Sequence, residues 1–88
     1  MISRDIILRN PEEMIEFVNL VEGFSYSIEV LVGNYVIDAK SILGMFGLGV
    51  AHVMKMDVHA EKADDLLVAI DRFVYNNHMN NIAVFTEE

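Results

Sequence analysis

Apolar and polar positions change their period several times along the chain, and each change marks an element. Arg4 to Leu8 is β-branched and aliphatic and reads as a strand, stopped by Asn10-Pro11. A helix follows. Asn10 suits the N-cap, Pro11 the first helical position and Glu13 the third, a box-like start. Met14, Val18 and Val21 then form one stripe with Phe17 beside it, up to Gly23 as the C-cap. From Tyr26 to Val32 the period falls to two around Ile28, Val30 and Val32, and Gly33-Asn34 before Tyr35-Val36-Ile37 signals a hairpin. Ser41 can cap a short helix through Phe46, closed by the Gly47-Leu48-Gly49 break. His52 to His59 alternates again, with Met54, Met56 and Val58 on one face and Lys55, Asp57 and His59 on the other. From Glu61 to about Tyr75, Ala63, Leu66, Leu67, Ile70, Phe73 and Val74 recur at helical spacing.

This order, β-α-β-β-α-β-α, predicts an α+β fold. Its form is an open-faced two-layer sandwich, a four-stranded antiparallel sheet with the helices on one face. Residues 1–75 make the domain. Residues 76–88 are a C-terminal extension, a polar break from Asn76 to Asn81 followed by the strand-like Ile82-Ala83-Val84-Phe85. Four apolar residues there predict pairing with a sheet edge, of the same chain or of a second copy as a homodimer.

Composition narrows the functional classes. Eighty-eight residues, 53% of them hydrophobic, suffice for one globular core. The net charge of −8, from fourteen acidic against six basic residues, argues against nucleic acid, whose phosphates need clustered Lys and Arg. No Lys or Arg occurs from Asn10 to Ala39, where six carboxylates fall, so one surface should be strongly acidic. The absence of cysteine excludes disulfide and thiolate chemistry and fits a cytoplasmic protein. The longest apolar run, Ile42 to Ala51, is too short and glycine-rich to span a bilayer, so no membrane insertion is expected. His52, His59 and His78 are too scattered for a metal pattern, and neither a metal nor a cofactor is expected. Glu12 and Glu16 share a helix face, but no nucleophile or phosphate loop accompanies them.

Phe17-Val18, Gly23-Phe24, Ile28-Glu29-Val30, Asp38-Ala39-Lys40-Ser41 and Leu48-Gly49 stand in register with these elements. In that register the chain resembles HPr, the small phosphocarrier of the bacterial sugar phosphotransferase system, over roughly residues 4 to 75. The resemblance implies a phosphoacceptor histidine at the mouth of the first helix, followed by an arginine. Counting back from Phe17-Val18 places the histidine on Asn10 and the arginine on Glu12, and residues 1–51 contain no histidine. Asn10, Pro11, Glu12 and Glu13 therefore read as a degenerate phosphoacceptor region, with Glu12 and Glu13 at a helix end that favours anions. Ser41 resembles the serine that a regulatory kinase phosphorylates in this family, and it is also an ordinary helix cap. Ile42, Leu43 and Phe46 match the apolar part of the family's docking face.

The resemblance implies a non-catalytic, protein-binding role without phosphohistidine carriage, with a partner in sugar uptake or carbon regulation. Two alternatives stand beside it. One is a phosphocarrier using another histidine, such as His52; the other is a small-ligand sensor of the ferredoxin-like or ACT kind.

Overall fold

The computed structural model describes residues 1–75. Four strands, β1 (Ile2–Ile7), β2 (Ile28–Val32), β3 (Tyr35–Asp38) and β4 (Val53–Val58), form one antiparallel sheet in the order β1-β4-β2-β3. Helices α1 (Pro11–Glu22), α2 (Ile42–Leu48) and α3 (Asp64–Ala69) supply the second layer, and a 3₁₀ turn (Asp71–Phe73) follows α3. The α+β architecture is the expected one, a four-stranded open sheet. The segment Ile82–Phe85 and its proposed edge pairing lie outside the described residues.

The alternating pattern of β4 works as anticipated: Met54, Met56 and Val58 are buried on the helix side. They meet Ile6 of β1, Ile28 and Val30 of β2, and the α1 stripe of Met14, Phe17, Val18 and Val21. Met45 of α2, Leu66, Ile70 and Phe73 complete this core. On the open face, register places Ser3, Asp57, Glu29 and Asp38 side by side across all four strands. Carboxylates directly opposite one another cost stability. Two partners moderate this row, since Ser3 Oγ donates to Asp57 Oδ1 at 2.6 Å and His59 Nε2 lies 2.7 Å from Glu29 Oε1.

Two expectations are corrected. The helix anticipated over Glu61–Tyr75 is α3, only Asp64–Ala69, then the 3₁₀ turn. Ala63 provides no side-chain cap, and Ile70 leaves helical geometry at φ −103°, ψ 11°. The buried set Ala63, Leu66, Ile70 and Phe73 fits one helix or a helix passing into a tighter turn, so periodicity alone does not separate them. The exit lets Val74 bridge Ile6 and Tyr75 N–H donate to Asp5 O at 2.7 Å, along the outer side of β1. The short second helix runs past Phe46 to Leu48, because Gly47 continues it and Gly49, at φ 84°, ends it. Gly23 is the C-cap of α1 as expected, with right-handed dihedrals, φ −73° and ψ −7°. At the hairpin only Gly33 takes a positive φ, 58°, which is the pattern of a II′ turn.

Tyr26, before β2, donates its hydroxyl to Asp65 Oδ1 of α3 at 2.7 Å. That bond, with the Leu66 N–H second, holds the Asp65 carboxyl below its ordinary 3.8, and it holds the Tyr26 phenol above 10.0. The Asp65 contribution to stability is therefore present above pH 3.8 and lost as pH falls through the folded-state value. The Tyr26 contribution is present below pH 10.0 and lost as pH rises through its folded-state value. Tyr26→Phe is expected to return Asp65 toward 3.8 in an NMR titration, and to lower stability between these limits but not in acid. An unmoved Asp65 titration would show the bond is not formed in solution.

Candidate functional site

The mouth of α1 is built by local sequence. Asn10 is extended at φ −154°, ψ 170°, and its Oδ1 accepts the Glu13 N–H at 2.8 Å. Glu13 Oε1 reaches back to the Arg9 N–H at 2.9 Å and to Arg9 Nη1 at 3.4 Å. The capping box thus closes one residue earlier than the sequence pattern indicated. Glu13 is therefore engaged by a cation, and Glu12 is the mouth carboxylate without a partner among the described residues.

A second segment borders this mouth. Ile7 pairs with Val53, and the Ala51 N–H donates to Leu8 O at 2.7 Å, so the loop before β4 runs beside the entry to α1. Ala51 sits at φ 68°, the left-handed region that a residue with a Cβ rarely adopts. His52 Nε2 lies 2.9 Å from Leu48 O at the end of α2. A carbonyl only accepts, so Nε2 donates; in the neutral ring this leaves the lone pair on Nδ1. Among the described residues no group of His, Asp and Glu could hold a metal ion.

Ser41 is exposed, and its Oγ accepts the Gly44 N–H at 3.3 Å, so it caps α2 as expected. Lys40 beside it sends its ammonium to Phe24 O at 2.6 Å. On α2 only Met45 is fully buried; Leu43 is 85% exposed, Phe46 41% and Ile42 37%. Two further exposed apolar residues add to these. Ile15, off the buried stripe of α1, is 44% exposed, and Tyr35 of β3 is 69% exposed. An open groove of about 320 Å³ lies between β3 and α2, lined by Tyr35, Ile37, Gly44, Gly47 and Leu48. Gly44 belongs there sterically, since a Cβ would come within 2.8 Å of Ile37 Cγ2.

The family model for the HPr component phosphorylation site of the phosphotransferase system matches residues 13–76. The chain belongs to the HPr family. Among solved structures, this HPr-family chain is similar to HPr-C-His from Thermoanaerobacter tengcongensis, at 26% identity and TM-score 0.69, over 82% of this chain and 89% of that one. It is also similar to the phosphocarrier protein HPr from Bacillus anthracis str. Ames, at 19% identity and TM-score 0.65, over 84% and 96%. An HPr dimer from T. tengcongensis matches at 28% identity and TM-score 0.60, over 74% and 76%. No match is found among the curated proteins. Members of this family are phosphocarriers rather than enzymes, and the match removes the ferredoxin-like or ACT-like sensor reading. Among the described residues no helix is long and apolar enough to cross a membrane.

Proposed function

We propose that this HPr-family chain works by protein contact in sugar uptake or carbon regulation and carries no phosphohistidine at the mouth of α1. The observation behind this reading is the N-cap itself. Asn10 holds that position with its amide oxygen committed to the Glu13 N–H, and residues 1–51 contain no histidine. An amide offers no nucleophilic nitrogen for phosphoryl capture, and the unpaired Glu12 next to it opposes an incoming phosphate. The repulsion amounts to only about 0.3–1 kcal/mol, so the missing imidazole is the larger obstacle. Contact would run through the exposed Ile42, Leu43 and Phe46, and phosphorylation of the accessible Ser41 would add charge beside them.

Incubation with phosphoenolpyruvate and enzyme I, followed by detection of acid-labile phosphate, tests the reading. No labelling is expected. Phosphohistidine mapped to His52 would instead support the second reading, carriage from that residue, which the Ala51-to-Leu8 bond beside the α1 mouth favours.

A further inference from the structure

Phe17 against Phe73 and Glu16 against Arg72 fix the 3₁₀ turn along one flank of α1. α2 packs on the other flank, toward which Ile15 turns, since it lies 100° around the helix from Glu16. On α2, Gly44 faces β3 through Ile37. Ile42 and Phe46, one turn apart, therefore lie toward α1, and Leu43 points outward with Gly47 beside it. Exposed apolar surface thus runs from Ile15 over α2 to Gly47 and down into the groove at Tyr35 and Leu48.

The border of this surface is net acidic. Glu12 and Glu22 lie on the exposed side of α1 without partners among the described residues. Arg9 and Arg72 are paired with Glu13 and Glu16, and the Lys40 ammonium donates to Phe24 O, which holds its position and leaves its charge in place. From these features, and resting on the contact role proposed above, we infer that the face receives an amphipathic helix of a partner protein. Its apolar stripe is flanked by Lys and Arg, and one apolar side chain enters the groove beside Gly47. A pocket next to a prominent side chain such as Leu43 is where binding energy concentrates, and the carboxylate border supplies orientation and encounter rate. A second copy is a poorer occupant, because its own acidic border would meet this one. Phosphate-bearing surfaces meet the same repulsion.

The test titrates the isotope-labelled full chain with three synthetic peptides, each about five helical turns long. One has a leucine stripe with Lys and Arg on the other positions. The second carries Glu in place of those cations, and the third has the first one's composition in scrambled order. The basic striped peptide is expected to bind best, with NMR shifts confined to Ile15, Leu43, Phe46 and Gly47 and their neighbours. Leu43→Asp should weaken it at least roughly tenfold. So should Gly47→Leu, which fills the groove where a Cβ meets nothing within 4 Å and the fold has room for it. Glu12→Lys with Glu22→Lys should transfer the preference to the acidic peptide.

Equal binding of the scrambled peptide, shifts centred elsewhere, indifference to both Leu43→Asp and Gly47→Leu, or self-association through this face would each overturn the inference. A phosphohistidine in the enzyme I assay would overturn the proposed function and leave the peptide result standing.

Discussion

Phe73→Ala is expected to abolish most of the stability of this domain. Phe73 is fully buried in the 3₁₀ turn, and its ring meets the equally buried Phe17 edge to face, with centroids 5.6 Å apart at 89°. Truncating a buried Phe costs about 3–5 kcal/mol, against a total of roughly 5–15 kcal/mol for a typical domain and less for a small one. Arg72 also lies over the ring, 4.2 Å from guanidinium carbon to centroid, and the side chain anchors the turn that lets Val74 reach Ile6. Urea denaturation should show the loss. Phe17→Ala should cost a similar amount, and the double mutant less than the sum by about 0.5–1.5 kcal/mol, the coupling of an aromatic pair. Strict additivity would show that the edge-to-face contact contributes nothing beyond area.

The second large effect is a reversal of sign between two glycines two positions apart. Gly47 is exposed within α2 with open space where a Cβ would go, so Gly47→Ala should stabilise by about 0.5–1 kcal/mol through helix propensity. Gly49 has φ 84° and ψ 178°, a region essentially reserved for glycine, where an L side chain costs on the order of 1–3 kcal/mol. The nearest atom to its added Cβ would be His52 Nε2 at 3.7 Å, an ordinary contact, so the cost is conformational rather than steric. Gly49→Ala should therefore destabilise. Thermal melts of the two variants moving in the same direction would refute the assignment of Gly49 as the residue that ends α2.

What could be read in advance was what short-range chemistry decides. Asn10, Pro11 and Glu13 mark the start of α1 because a cap acts within one turn, and Met54, Met56 and Val58 declare a face because a strand alternates. The patch at Ile42, Leu43 and Phe46 was legible because a short surface helix has little use for so many apolar residues. Ile15 and Tyr35 escaped, since each looks like a single exposed hydrophobic until tertiary packing sets it beside α2. The engagement of Glu13 by Arg9 was missed because the box pattern compares only the cap and third positions. The length of α3 failed for another reason: Ile70, Phe73 and Val74 all serve the core or the sheet, and the chain tightens and then straightens to let them. The match to the HPr family supports the element order and the register of residues 13–76, but it leaves the mouth of α1 to be argued from Asn10.

The sheet order carries a consequence for how the chain is made. β4 lies between β1 and β2, which do not touch each other, so neither half of the sheet can join until residues 53–58 exist. As the ribosome delivers the chain, α1, the β2–β3 hairpin and α2 emerge with β1 still lacking every backbone partner it will have. Its ladder with β4, its bridge to Val74 and the bond from Tyr75 N–H to Asp5 O all come from the second half of the sequence. Such long-range closure slows folding. The nascent protein should stay susceptible to proteases until β4 and Val74 clear the exit tunnel, and then become resistant in a single step.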